Sequence, residues 1–173
     1  MSCEDRSFGS NDGTLLSNFA QAHRVLGIEP TDVGAIARSR GIDTLQRYFS
    51  LEVGQEVRRD HGPAKVITAA NCFAHIENVH PLVEGILALL DEDGVFVSES
   101  HYLIGLLDSL QYDTVYHEHL RYYTVHSLSN LLAMHGLEVF HVEKIPTHGG
   151  SIRVYAARKG TRAIEDSVAS ILA

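Results

Sequence analysis

The stretch Lys65-Val66-Ile67-Thr68-Ala69-Ala70 is a continuous run of small and β-branched residues with one charge at its start. A strand with one face in water alternates apolar and polar residues, whereas a strand covered by helices on both faces does not. The run therefore predicts a buried strand in a parallel sheet.

Further elements are predicted on both sides: helices at residues 33–40, 81–90, 127–135 and 163–173, and strands at residues 25–28, 44–49, 95–99, 137–145 and 151–157. The helix at 81–90 has its apolar residues on one stripe, which is typical of a helix packed on a sheet. The last two strands are separated by a loop short enough for an antiparallel pair. This order predicts an α/β fold, with a mostly parallel sheet, helices on both faces and an antiparallel hairpin at the edge.

Composition limits the possible partners. The chain has 173 residues, which suits one domain. It carries 22 acidic and 14 basic residues, a formal charge of −8, which argues against nucleic acid or an anionic membrane as the main partner. Cys3 and Cys72 form no CxxC pair, so neither a disulfide framework nor a cysteine zinc site is expected. With no long apolar run and no signal-like start, a reducing cytoplasm is the expected compartment.

The segment Tyr116-His117-Glu118-His119 indicates acid/base chemistry. Histidine exchanges a proton near neutral pH, a neighbouring carboxylate makes it a better base, and a phenol can stabilise a developing oxyanion. A polar loop packed on the sheet is the alternative interpretation. A metal-dependent hydrolase is a further one, although adjacent His-Glu-His lacks the i, i+4 spacing that puts two imidazoles on one helical face.

A nucleotide site is predicted at the carboxyl end of the sheet. Residues 9–13, Gly-Ser-Asn-Asp-Gly, precede a helical run, and glycines there let the backbone approach a ligand closely. Glu29 follows the next strand, where a carboxylate accepts hydrogen bonds from ribose hydroxyls. A surface glutamate before a proline is the alternative interpretation. Asn71 follows the strand at 65–70, so these side chains are expected at one end of the sheet.

Six segments occur in the order and spacing of a known family: Phe8–Gly13, Gly27–Pro30, Ala70–His75, Asp93–Val97, Tyr116–Leu120 and His148–Tyr155. Together they resemble the S-adenosylmethionine-dependent C-methyltransferases that act on nucleotide-linked keto-deoxysugars. The resemblance runs from about residue 8 to residue 160. It implies a Rossmann-like class I methyltransferase fold, S-adenosylmethionine as cofactor and a nucleotide-linked keto-sugar as substrate.

The resemblance also implies the cofactor site. Gly9, Ser10 and Asn11 would face the methionine part of the cofactor. Glu29, followed by Pro30, would bind its ribose. Asn71, which the resemblance also assigns to the cofactor site, would lie beside the methyl-bearing end.

In the reaction, His119 matches the family's general base, with Tyr116 and Glu118 beside it, and His75 matches a histidine placed at the sugar. A carbon next to a ketone becomes a nucleophile once a base removes its proton and an enolate forms. His117 is the competing base. No metal is needed, because the sulfonium is already activated and the ketone supplies the acidity.

His148, Ser151 and Arg153 are predicted near the sugar nucleotide. Gly149 and Gly150 free the backbone at a strand entrance, and the planar guanidinium of Arg153 could pair with a phosphate. The alternative is an ordinary turn leading into an edge strand.

The chain departs from the family at both ends. Residues 1–7 form a poor central strand, so the first strand of the cofactor-binding domain at 1–160 is expected to be degenerate or missing. The resemblance implies a zinc-binding module before this strand, and zinc is expected only in that module. Residues 161–173 are interpreted as the start of a truncated C-terminal region. The alternative function is an inactive remnant that at most binds cofactor.

Overall fold

The computed structural model describes residues 4–172, which form one seven-stranded sheet in the order β3-β2-β1-β4-β5-β7-β6. The strands are β1 Glu4–Phe8, β2 Arg24–Ile28, β3 Thr44–Leu45, β4 Ala64–Ala70, β5 Leu90–His101, β6 Leu137–Ile145 and β7 Ser151–Arg158. The helices are α1 Thr14–Ser17, α2 Gly34–Ser39, α3 Leu51–His61, α4 Val79–Leu89, α5 Leu103–Asp108, α6 Val125–Met134 and α7 Asp166–Leu172.

The sheet is parallel except for β7. That strand runs antiparallel to both of its neighbours, with His101 opposite Ser151 on the β5 side and Ile145 opposite Ser151 on the β6 side. The predicted α/β fold with an antiparallel pair at the edge is therefore confirmed. In parallel sheets the ligand-binding end lies where the strands end, which is here the end holding Phe8, Ile28 and Ala70.

The expectation of a missing or degenerate first strand is wrong. β1 lies in the middle of the sheet, between β2 and β4. The guanidinium of Arg6, only 2% exposed, donates to the carboxylate of Glu4 at 2.7 Å and to the main-chain oxygens of Arg24 and His61 at 3.3 and 3.1 Å. Because these partners pair both terminal nitrogens of the buried guanidinium, a charged sequence can form a central strand. Residues 1–3 of the predicted stretch lie outside the described residues.

An aromatic cluster forms the floor under the ligand-binding end. The ring of Phe8 stacks on Phe49 at 4.8 Å and on Phe96 at 6.3 Å between centroids. Phe73 lies 6.1 Å from Phe8 and 5.8 Å from Phe96, and it is 1% exposed. The ends of β1, β4 and β5 are thus held together by a packed core directly beneath the site.

Helices α3 and α4 approach each other through two glycines. A Cβ on Gly54 would lie 2.5 Å from the carbonyl oxygen of Gly85, and a Cβ on Gly85 would lie 2.6 Å from that of Ser50. No side chain fits at either position without movement of the backbone. The two glycines therefore allow the backbones of α3 and α4 to lie in direct contact.

Several element boundaries differ from the predictions. The strand expected at 44–49 is limited to Thr44–Leu45, because the chain turns there into α3, whose first turn is capped by Ser50. β5 begins at Leu90 instead of residue 95. Helices α3 and α5 were not predicted, and the helix expected from residue 163 begins at Asp166. No helix within residues 4–172 combines the length and apolar character that crossing a membrane requires.

Candidate active site

The turn after β1 has a backbone that requires glycine. Gly9, Asn11 and Gly13 all have positive φ, at 61°, 53° and 78°. A Cβ on Gly9 would lie 3.1 Å from the Cβ of Cys72, and one on Gly13 would lie 2.9 Å from the Cβ of Ala37. The two glycines therefore permit both the left-handed turn and its close packing against the neighbouring chain.

Two adjoining clefts open at this end of the sheet. The first has a volume of about 560 Å³ and is lined mainly by the turn, by Glu29 and by Asn71. The second, of about 460 Å³, is more apolar and includes Pro30, Tyr48 and Phe49. Gly9, Cys72 and His75 line both clefts, so the two form one continuous surface. The predicted cofactor residues thus lie together.

Glu29 ties the turn to the end of β2. One carboxylate oxygen accepts from the main-chain nitrogen of Asn11 at 3.0 Å. The other accepts from the nitrogen and the hydroxyl of Thr31 at 3.0 and 2.6 Å. A carboxylate has about four acceptor positions, so roughly one remains for a ligand hydroxyl. Glu29 is 7% exposed, which strengthens any hydrogen bond it makes.

Two polar atoms in the first cleft have no partner among the described residues. They are the hydroxyl oxygen of Ser10 and the side-chain oxygen of Asn71, both buried. Asn71 has φ of 52°, and its main-chain nitrogen donates to the carbonyl of Glu99 at 2.8 Å. Because buried polar atoms are nearly always satisfied, these two fit a bound polar ligand.

Cys72 forms the wall shared by the two clefts. Burial raises the pKa of its thiol to about 12, and the charge of Glu29 acts in the same direction. The thiol is therefore protonated at neutral pH and behaves as a small apolar group. It is not a nucleophile for the site.

His75 connects the clefts to the predicted catalytic segment. Its Nδ1 lies 2.9 Å from the carbonyl oxygen of Glu118 and donates to it, since a carbonyl only accepts. Its ring centroid is 4.9 Å from that of His119. The structure therefore brings His75 and His119 together, as expected.

The hydrogen bonds of His119 identify its basic atom. Nδ1 lies 2.9 Å from the carbonyl oxygen of Thr114, so Nδ1 carries the proton. Nε2 keeps the lone pair and lies 3.2 Å from the hydroxyl of Tyr116. An imidazole oriented by a main-chain carbonyl, with its free nitrogen beside a phenol, has the geometry of a general base.

The other two residues of the segment face away. The side chains of His117 and Glu118 are 90% and 62% exposed, and Nε2 of His117 lies 3.9 Å from a carboxylate oxygen of Glu118. The carboxylate of Glu118 thus pairs with His117, and the main-chain carbonyl of Glu118 is the group that contacts His75. The expected place of the Glu118 carboxylate beside His119 is not what the structure shows.

Ser151 and Arg153 both have protein partners. Ser151 is 1% exposed and donates to the carbonyl of Thr147 at 3.2 Å. The guanidinium of Arg153 donates twice to Glu99, at 3.0 and 2.7 Å, and lies 3.6 Å from a carboxylate oxygen of Glu143. The cross-strand carboxylates already neutralise this arginine, so its contact with a phosphate stays a prediction. The ring of His148 lies 5.5 Å from that of His101.

His101 was not predicted. It is the last residue of β5, and its ring lies 5.3 Å from that of His119 and 5.5 Å from that of His148. With His75, these rings form a cluster of four imidazoles, called the histidine cluster below. The sequence signal was its position at the carboxyl end of a parallel strand next to the predicted site. Across residues 4–172 no group of His, Cys, Asp or Glu side chains is arranged to hold a metal ion.

Comparison with known proteins identifies a family for this chain. Residues 7–142 match a family model described as a methyltransferase domain. The chain is 41% identical over 169 residues to the C-methyltransferase NovU of Streptomyces niveus, covering 96% of this chain and 40% of that protein's length.

Solved structures share the fold at low identity. A SAM-dependent methyltransferase from Anabaena variabilis superposes with a TM-score of 0.72 at 15% identity, over 91% of this chain and 77% of the other. Magnesium protoporphyrin IX methyltransferase from Synechocystis, solved with bound SAH, gives 0.69 at 13% identity, over 91% and 75%. These likenesses establish the arrangement of the sheet and helices.

Proposed function

Because the chain belongs to the S-adenosylmethionine-dependent methyltransferases of class I, we propose that it methylates a carbon α to a ketone in a nucleotide-linked deoxysugar. The two clefts at the carboxyl end of the sheet hold the cofactor, and the histidine cluster beside them acts on the sugar. The activity is proposed for the whole protein, since the chain spans 40% of the length of the curated relative.

Polar groups without a full set of protein partners support the cofactor site. Glu29 has roughly one free acceptor position for a ribose hydroxyl. The free oxygens of Ser10 and Asn71 suit the amino-carboxyl end. Pro30 and Phe49 offer the apolar surface that a purine requires. When bound, the cofactor supplies an electrophilic methyl group.

His119 is proposed as the base. Its Nε2 takes the proton from the carbon next to the ketone, and the electron pair of the broken C–H bond moves toward the ketone oxygen. The carbonyl of Thr114 holds the ring and stabilises the imidazolium that results. Tyr116 adjusts the site through its contact with Nε2.

One observation carries the proposal. His75 lines the two cofactor clefts, and its ring also contacts that of His119. A base that must act on a carbon facing the cofactor has to lie within a few ångströms of both. The position of His75, which lines the clefts and lies 4.9 Å from His119 between ring centroids, supports this placement.

The test has two stages. Calorimetric titration with S-adenosylhomocysteine should give binding to the 173-residue chain. The whole protein, incubated in D2O with a keto-sugar nucleotide, should exchange the proton α to the ketone and transfer a methyl group when cofactor is added. Binding without exchange or transfer would favour the inactive remnant, and absence of binding would contradict the cofactor site.

The name of the curated relative supports methylation at carbon. The sugar, its nucleotide, a zinc ion in a preceding module and the cytoplasmic compartment stay predictions. So does the expectation that neither nucleic acid nor a membrane is a partner.

A further inference from the structure

A neutral histidine has one ring N–H and can therefore donate only one hydrogen bond. His75 and His119 have each used their N–H group on a main-chain carbonyl, that of Glu118 and that of Thr114. Their remaining nitrogens carry lone pairs and accept. Removal of an α-proton, however, places negative charge on the ketone oxygen, and this oxygen needs a donor.

Tyr116 does not fill that role well. Its hydroxyl lies against Nε2 of His119, the atom assigned to the proton, and the residue is 43% exposed. A donor in contact with water and shared with the base stabilises an oxyanion less than a preorganised, desolvated donor does.

We propose that His101 is a catalytic residue of this site, which donates its N–H to the ketone oxygen as the enolate forms. The proposal rests on the proposed function and assigns a group that the family resemblance did not include. His101 is half-buried at the end of β5, in contact with His119 on one side and His148 on the other. Its imidazole makes no hydrogen bond with any residue in the range 4–172, so the ring N–H is available to a ligand.

The surroundings keep His101 neutral. Burial lowers the pKa of its imidazole, and His119, His148 and His75 lower it further, because a second positive charge in the cluster is unfavourable. A neutral imidazole donates a hydrogen bond without giving up its proton, which suits stabilisation of an enolate at neutral pH. His119 then holds the only proton that is transferred.

The turn after β6 keeps the cluster in place. His148, Gly149 and Gly150 all have positive φ, and the main-chain oxygen of Gly149 accepts from the amide of Gln111 at 2.8 Å. The oxygen of Gly150 accepts from the nitrogen of Tyr102, the residue after His101, at 3.1 Å. The turn that carries His148, against which His101 packs, is therefore held by hydrogen bonds to Gln111 and to Tyr102.

The experiment compares His101→Phe, which keeps a flat ring without a donor, with His101→Gln, which restores an N–H. His101→Phe should lower the rate of α-proton exchange by about 100-fold or more, the cost of removing one oxyanion donor. His101→Gln should recover part of the loss, while S-adenosylhomocysteine affinity stays within about two-fold of the parent in both. His126→Phe, a histidine exposed on α6, is the matched control and should exchange at the parent rate.

A second measurement does not depend on turnover. Carbon-13 labelled histidine, followed by NMR against pH, should show a His101 pKa below the ordinary value of a histidine side chain. Parent-like exchange in His101→Phe, or a His101 ring charged at pH 7, would overturn the role of His101 alone. Absence of exchange in the parent protein would instead contradict the proposed function, and this proposal with it.

Discussion

His117 and His119 are two positions apart, yet their surroundings give them different chemistry. The side chain of His117 is 90% exposed and pairs with a carboxylate that is itself in water. His119 is fixed through Nδ1 to a carbonyl and has one nitrogen left to act. A catalytic base needs a fixed orientation of this kind. The density of titratable residues in the sequence does not show which histidine has it.

The first prediction concerns this pair. His119→Asn should reduce α-proton exchange in a keto-sugar nucleotide by ~100- to 10,000-fold, the usual cost of losing a general base. S-adenosylhomocysteine binding should survive, because His119 does not line the cofactor clefts. His117→Asn is the control and should exchange normally. If exchange vanished in His117→Asn and persisted in His119→Asn, the assignment of the base would be wrong.

A second prediction concerns Glu29. Glu29→Gln keeps the shape of the side chain but removes its charge and one acceptor oxygen. Calorimetry should show S-adenosylhomocysteine binding weaker by ~1–3 kcal/mol, the scale of hydrogen bonds to a charged group. Asp32→Asn, an exposed carboxylate on the loop after β2, should bind as the parent does. Equal affinity in both variants would remove Glu29 from the ribose site.

A third prediction follows from the raised pKa of Cys72, about 12. At pH 8 its thiolate fraction is roughly 1000-fold below that of an exposed cysteine, an effect partly offset by the greater nucleophilicity of a more basic thiolate. In a Cys3→Ser variant, alkylation of Cys72 by iodoacetamide should be about 10- to 100-fold slower than that of a free cysteine peptide. Mass spectrometry gives the rates, and equal rates would contradict the burial of the thiol.

At the scale of elements, the contact between α3 and α4 depends on glycine at Gly54 and Gly85. Gly54→Ala should destabilise the chain by ~1–3 kcal/mol, the usual cost of overpacking, as measured by urea denaturation. Gly105→Ala is the matched control within α5, because its new Cβ would meet its nearest neighbour at an ordinary 3.8 Å. It should be neutral or stabilising by up to about 1 kcal/mol. Equal effects of the two substitutions would contradict the close helix contact.

The elements recovered from the sequence are those with a local pattern. β4 is a continuous apolar run, and the apolar stripe that predicted the helix at 81–90 lies within α4 except at Leu90. β1 was missed because three charged residues open it, and their partners at Arg24 and His61 are distant in the chain. Such long-range compensation has no local signal.

The candidate site divides in the same way. The cofactor turn and Glu29 have recognisable spacing, and the structure brings both to one cleft. Two features of the site depend on how the loop after α5 returns to the sheet. They are the contact of His101 with His119 and the exposure of the Glu118 carboxylate. That return is set by contacts such as Leu103 nitrogen with the carbonyl of Tyr123, at 2.9 Å, which sequence spacing does not reveal.

For the whole molecule, cofactor binding should appear as thermal stabilisation. A ligand at 100 times its dissociation constant adds ~2.7 kcal/mol to the free energy of unfolding. For a domain of this size that corresponds to a rise of roughly 5–10 °C in Tm with saturating S-adenosylhomocysteine. Adenosine alone should give a smaller shift, since it cannot engage Ser10 and Asn71. No shift with either compound would argue against the site.

The insertion of β7 between β5 and β6 also has a consequence for how the protein is made. On the ribosome, β6 emerges before β7, and its neighbour in the finished sheet does not yet exist. Until residue 158 has left the exit tunnel, β5 presents an open hydrogen-bonding edge and β6 has no strand to pair with. Within residues 4–172, the nascent chain is therefore most prone to aggregate, and most in need of a chaperone, during synthesis of β7.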